Sequence, residues 1–225
     1  MGDLFDGEGS EHSSLHSNMF MLAFDLVPDD RKASAISFVK SRGMACSVYG
    51  AQYLLEALYR NGEDQYALEL LTAQHDRSWW NLIRCGSTIT MEAWDLKYKN
   101  NLDWNHAWGA APANIIPRFV LGVRPLDPGF SKVLIQPQPG SLKRISGTAP
   151  TTRGPVTVPL ETTRASSIKF KVTIPADTNT KIGLKLRNQN STTLLVDGKQ
   201  VNAHPENDYL FLDDIKPGTH VVVNE

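Results

Sequence analysis

The sequence is short of cysteine. Cys46 and Cys85 are the two it has in 225 residues, too few for a disulfide framework or a zinc site. They read as two small buried thiols, with a pairing between them as the alternative. An excess of one charge is also missing. Lys and Arg number 23 against 24 Asp and Glu, a net charge of −1. That balance argues against a general nucleic-acid binder, which carries a basic footprint. No apolar run approaches the roughly 18–20 residues that a membrane span needs. The opening MGDLFDGEGSEHSS has neither the basic n-region nor the apolar h-region of a secretory signal. There is no phosphate-binding GxxxxGK[ST], no dinucleotide GxGxxG after a strand and no GxSxG elbow. Internal repeats and low-complexity tracts are missing too. The composition that remains is 41% hydrophobic and 21% charged, ordinary globular values that rule out a mainly disordered chain.

The pattern changes near Arg124. All five Trp and both Cys lie before it. Helical spacing of Leu15, Met19, Leu22, Ala23 and Leu26 predicts a helix that Pro28 stops. Asp29 or Asp30 is placed to cap a second, over about 31–41. A third is expected over about 47–60, ended by Asn61-Gly62, and a fourth over about 64–74. A short one follows near 77–84, and a last one over about 105–121, distorted by Pro112 and Pro117. Short links between them predict antiparallel helical hairpins. From Pro125 onward the alternation has period two. Strands are expected at 132–136, 157–161, 167–174, 180–186, 192–196, 209–212 and 220–223. Asp197-Gly198 marks a hairpin, and Pro-Gly pairs at 128–129, 139–140 and 217–218 mark turns. The expected fold is α plus β in two domains: helical hairpins over 1–124, then an antiparallel β-sandwich over 125–225.

Two segments concentrate chemistry. Residues 86–95 read GSTITMEAWD, which sets the carboxylate of Glu92 between Thr90 and Trp94. Apolar neighbours would desolvate that carboxylate and raise its pKa toward acid–base work; the plain alternative is a surface Glu beside a capping Thr. Residues 103–109 read DWNHAWG, with Asn105, His106 and Trp108 close together. Aromatic platforms beside amides, imidazoles and carboxylates are what a sugar site needs. The alternative is a helix start capped by Asp103 or Asn105, with the Trp residues in the core. Trp79-Trp80 forms a second aromatic pair shortly before Glu92. His12 and His16 stand one helical turn apart, yet two ligands are too few for a metal. Asp6-Gly7-Glu8-Gly9 does not follow a calcium-loop pattern. Asn190-Ser191-Thr192 is a glycosylation triplet of a kind that chance supplies often. Nothing points to a cofactor.

The strings HSSLHSNMFMLAFDLVP, CSVYGAQYLLEALY, GSTITMEAWD, DWNHAWGAAPANIIPRFVLGVRPLDPGF and KVLIQPQPGSL occur in this order. Together they resemble the C-terminal part of bacterial α-L-rhamnosidases of glycoside hydrolase family 78, over roughly residues 5–160. The resemblance implies an (α/α)6 barrel followed by a β-sandwich, and hydrolysis of terminal α-L-rhamnosyl bonds with inversion. It implies that Glu92, in the family's Thr-x-Glu-x-Trp context, is the general base. It implies sugar binding by His106 with Asn105, and walls at Trp94, Trp80 and Trp108. The chain departs from many members in reading Asp-Trp-Asn-His where they read Ser-Phe-Asn-His. The family's general acid belongs to a segment in the first half of the barrel, and nothing like it occurs here.

The expected chain is therefore half a catalytic barrel plus its β-domain, completed by a missing N-terminal half of the same polypeptide. It carries the base without the acid and is expected to be inactive alone. Its expected partner is a rhamnose-containing oligosaccharide or glycoside, with no nucleic acid and no membrane; the resemblance suggests secretion or the periplasm. Two other readings compete. A glycan-binding or structural module has no need of Glu92. A polysaccharide lyase would use Tyr49 or His106 as base on an acidic sugar, which a chain with no basic cluster near these motifs does not favour.

Overall fold

The structure is a computed structural model that describes residues 11–162, 168–186 and 192–224. The acidic loop at 6–9, residues 190–191 of the glycosylation triplet and the expected strand start at Ser167 lie outside the described residues. Two compact units divide the chain, residues 1–115 and 116–225. No described helix is long and apolar enough to cross a membrane.

The first unit is helical. Helix α1 (Leu15–Ala23) starts at Ser14, whose Oγ accepts a hydrogen bond from the Ser17 amide at 3.1 Å. Helix α2 (Asp29–Arg42) begins after Pro28, with no side-chain cap. Asp29 and Asp30 occupy its first turn and Lys40 and Arg42 its last, where each sign suits the helix dipole. The expected capping role of these aspartates is thus corrected: they sit inside the helix. Helix α3 (Ala51–Arg60) begins later than its periodicity suggests, because Ser47 Oγ takes the Gly50 amide into a preceding turn at 3.2 Å. Helices α4 (Asp64–Leu71) and α5 (Trp79–Arg84) follow, the latter capped by Ser78. α1 packs on α2 and α3, and α3 on α4 and on the short α6 (Ala111–Ile115). Met19, Ala35, Val39, Leu54, Leu55 and Tyr59 form the sealed core between them. Cys46 is buried there, but Cys85 is exposed, against the expectation of two buried thiols.

The expected helix over 105–121 is broken into a 3-10 turn at Ala107–Gly109, α6, and a π-helical turn at Ile116–Val120 that opens the second unit. In the π turn the Leu121 amide reaches back five residues, to the Ile116 carbonyl at 2.9 Å. Pro112 and Pro117 carry no N–H and cannot sustain a regular ladder.

Among the described residues the second unit holds two sheets. One has five strands in the order β1-β2-β6-β10-β9. They are β1 (Val123–Pro125), β2 (Lys132–Ile135), β6 (Asn179–Lys185), β10 (Tyr209–Ile215) and β9 (His204–Glu206). The other has six in the order β3-β4-β5-β11-β7-β8. They are β3 (Arg144–Ala149), β4 (Val156–Thr162), β5 (Ile168–Ile174), β11 (Gly218–Asn224), β7 (Thr193–Val196) and β8 (Lys199–Asn202). Pairing is antiparallel except that β2 runs parallel to β6. Strand β5 shows why a sandwich forms: Phe170, Val172 and Ile174 are buried while Lys169, Lys171 and Thr173 face out. The Asn224 side-chain amide donates to the Lys185 carbonyl at 2.8 Å, tying one sheet to the other. On β6 a glycine is required: a Cβ at Gly183 would lie 2.4 Å from the Phe211 ring of the paired strand.

Candidate active site

The site is built where two stretches of the helical unit run side by side. The His106 amide donates to the Thr90 carbonyl at 2.8 Å, and the Thr90 hydroxyl donates to the His106 carbonyl at 2.6 Å. The Glu92 amide donates to the Asp103 carbonyl at 2.9 Å. These bonds join the GSTITMEAWD and DWNHAWG segments, with residues 93–102 forming the loop between them. Gly109 closes the arrangement, since a Cβ there would stand 2.7 Å from Val48 and 2.8 Å from Thr90. The Gly109 carbonyl accepts from the Trp79 indole at 2.8 Å.

Glu92 is held at both oxygens. Lys99 Nζ, from the connecting loop, donates to Oε1 at 2.5 Å, and the Asp103 amide donates to Oε2 at 3.1 Å. The Lys99 hydrogen bond, then the Asp103 amide, then the charges of Lys99 and His106 hold the Glu92 carboxyl below its ordinary value. The expected upward shift is therefore overturned. Partial burial does push upward, but hydrogen bonds to the charged form outweigh it. An ionised carboxylate at neutral pH accepts a proton; it does not donate one.

The segment paired with that of Glu92 carries part of an aromatic group. His106, Trp108 and Tyr49 form a triangle with ring centroids 5.8, 6.0 and 6.5 Å apart. Trp108 is 73% exposed, so its indole is largely open to solvent. Asn105 is exposed, and its backbone N–H donates to Asp103 Oδ1 at 3.2 Å in a local turn. Asp103 and Asn105 thus cap no helix. Trp80 is exposed on α5. Trp94 differs from the wall expected of it. It is 3% exposed, it donates its indole N–H to the Cys46 carbonyl at 2.8 Å, and it meets Trp79 edge-on at 5.1 Å. It supports the segment that carries Glu92 and does not face a ligand. Lys99 is the site member that sequence reading missed, and Tyr49 entered it only as a lyase base. Tyr49 was visible only as a residue type, and Lys99, in the run KYKN, gave no signal.

Among the described residues no group of three or more His, Cys, Asp or Glu is arranged for a metal ion. His12 precedes α1 and His16 lies on it, tilted against Phe20, so the pair does not share a helical turn.

The model of the bacterial α-L-rhamnosidase 6 hairpin glycosidase domain matches residues 4–120. The chain belongs to the bacterial α-L-rhamnosidase family. The model of that family's C-terminal domain matches residues 122–195. An α-L-rhamnosidase of Alteromonas sp. (strain LOR) is 29% identical over 171 residues, 70% of this chain and 18% of the relative. The α-L-rhamnosidase of Dictyoglumus thermophilum superposes with a TM-score of 0.83 at 18% identity, over 97% of this chain and 26% of its own. That of Streptomyces avermitilis, solved with L-rhamnose, gives 0.80 at 19% identity, over 100% of this chain and 22% of its own. The chain spans about a fifth to a quarter of the length of these relatives.

Proposed function

We propose that this chain is the base-bearing part of an inverting glycoside hydrolase acting on terminal α-L-rhamnosyl residues. In that reaction Glu92 removes a proton from water, and the water oxygen bonds to the anomeric carbon on the face opposite the leaving group. The glycosidic C–O bond breaks, and its oxygen takes a proton from a carboxylic acid on the other side, about 6.5–9.5 Å from the base. The observation that supports the reading is a carboxylate hydrogen-bonded at both oxygens, on a segment whose backbone is bonded to the one that carries His106 and the exposed Trp108. His106 and Asn105 would bind sugar hydroxyls, Trp108 and Trp80 would meet the apolar ring face, and Trp94 would brace the base from behind. The general acid would come from the part of the relatives' length that this chain does not span.

A substrate that leaves without protonation tests this division of labour. α-L-Rhamnosyl fluoride expels fluoride and needs the base alone. The 225-residue chain should hydrolyse it and release β-L-rhamnose first, while an alkyl α-L-rhamnoside stays intact. Glu92→Gln should abolish fluoride hydrolysis. Equal rates for the two proteins would remove Glu92 as the base, and turnover of an alkyl or aryl rhamnoside that Glu92→Gln abolishes would show that the chain holds the acid as well. A glycan-binding module is the second reading, favoured by the fact that Glu92 also staples its own loop. It predicts L-rhamnose binding with no fluoride hydrolysis in either protein.

A further inference from the structure

The Glu92 carboxylate has an unusual escort. The chain leaves it at Ala93, runs through a ten-residue excursion and returns at Asp103, whose backbone bonds Glu92 in both directions: Glu92 N–H to Asp103 O at 2.9 Å and Asp103 N–H to Glu92 Oε2 at 3.1 Å. Lys99 lies within that excursion and reaches back to Oε1 at 2.5 Å. The two charges are partly solvated, with side-chain exposures of 25% for Glu92 and 41% for Lys99. An exposed ion pair of this kind contributes little to stability. Its effect is geometric: a Glu side chain has three rotatable bonds, and a donor on each oxygen leaves one orientation.

On the reading of Glu92 as the base, we propose that Lys99 is the positioning residue of this site, fixing the carboxylate rotamer while leaving it able to take a proton from water. Each carboxylate oxygen has two lone pairs. Lys99 uses one on Oε1 and the Asp103 amide one on Oε2, so each oxygen keeps a position for a water. The other groups facing Glu92 are the His106 ring, whose charge would act in the same sense, and the backbone of Asp103. The Asp103 carboxylate is engaged by the Asn105 backbone N–H. Lys99 touches no reacting atom in this scheme; it acts through Glu92. A misplacement of about 1 Å at a catalytic group costs on the order of 10²-fold in rate, so loss of the tether should appear in kcat more than in KM.

The test separates this role from the function it rests on. The 225-residue chain, labelled with ¹³C at its Glu side-chain carboxyls, is titrated by NMR, with Glu92→Gln assigning the Glu92 signal. Lys99→Met should move the Glu92 midpoint upward, and Lys99→Arg should bring it back toward the native position. With α-L-rhamnosyl fluoride, Lys99→Met should lower kcat about tenfold or more and move the acid limb of the pH profile up with the NMR midpoint, with KM little changed. A Glu92 midpoint that ignores Lys99→Met overturns the proposal. A midpoint that moves, in a chain that hydrolyses no fluoride, supports Lys99 as the tether and overturns Glu92 as the base.

Discussion

Trp94 makes the most quantitative case for how the candidate site is supported. Its indole N–H donates to the Cys46 carbonyl at 2.8 Å, in surroundings where Trp94 is 3% and Cys46 6% exposed. Trp94→Phe keeps a ring but leaves that carbonyl buried without its donor, at a cost of about 1–3 kcal/mol. Trp94→Leu also removes the edge-on contact with Trp79 at 5.1 Å, worth roughly 0.5–1.5 kcal/mol more. Urea unfolding followed by tryptophan fluorescence reads the helical unit selectively, because all five Trp residues lie in it. Phe should lower its stability by about 1–3 kcal/mol and Leu by more. A double-mutant cycle with Trp79→Leu should return a coupling of about 0.5–1.5 kcal/mol. A Phe variant within about 0.5 kcal/mol of the native chain, the range of ordinary surface changes, would refute the claim that this bond braces the Glu92 segment.

Gly183→Ala puts a methyl 2.4 Å from the Phe211 ring and should cost the β-unit about 1–3 kcal/mol by thermal unfolding, with Phe211→Leu relieving most of it. Burial pushes the Cys46 thiol up to about 12, so at pH 8 a thiol reagent should titrate one equivalent, Cys85, in the native chain and two after denaturation. The same shift sets a sign. The unfolded thiol ionises near 9 and the native one near 12, so helical-unit stability should fall as pH rises through that window. Asp197 holds the Val221 amide and the His220 ring at 2.8 Å each, which keeps its carboxyl below the ordinary value. Asp197→Ala should therefore speed exchange at the Val221 amide, an effect that disappears when both proteins are compared in acid below the Asp197 midpoint.

What the sequence displayed were features written into neighbouring residues. The periodicity of α1 and α3, and the alternation of Phe170, Val172 and Ile174 on β5, are local consequences of one face meeting a core. What it hid depends on partners far away in the chain. Strand β3 reads RISGTA, poor in strand formers, and exists because β4 pairs with it along its whole length. β8 and β9, KQVN and HPE, are exposed sheet-edge segments with no buried face to impose a pattern. The parallel register of β2 on β6 joins residues more than forty apart. The same division runs through the site. Thr90, Glu92 and His106 stood out by type and company, whereas Lys99 was indistinguishable from any solvated lysine until the loop closed on Glu92.

The reversal at Glu92 follows from where its neighbours point. Sequence places it between Met91 and Trp94, and both are apolar enough to desolvate a carboxylate. In the fold they turn inward, 0% and 3% exposed, and leave Glu92 at the rim where Lys99 and the Asp103 amide reach it. Sequence adjacency gave the wrong dielectric, and the donors that decide the charge come from seven and eleven residues on. The Asp103 amide proton reports this directly. A carboxyl held below its ordinary value contributes hydrogen bonding that is fully present above the unfolded value of 4.5 and is lost as pH falls through the folded one. The Asp103 amide shift should therefore carry a titration step with its midpoint below 4.5, and that step should vanish in Glu92→Gln. A midpoint at or above 4.5 would mean that the apolar neighbours prevail after all, and Glu92 would then be better suited to donate a proton than to take one from water.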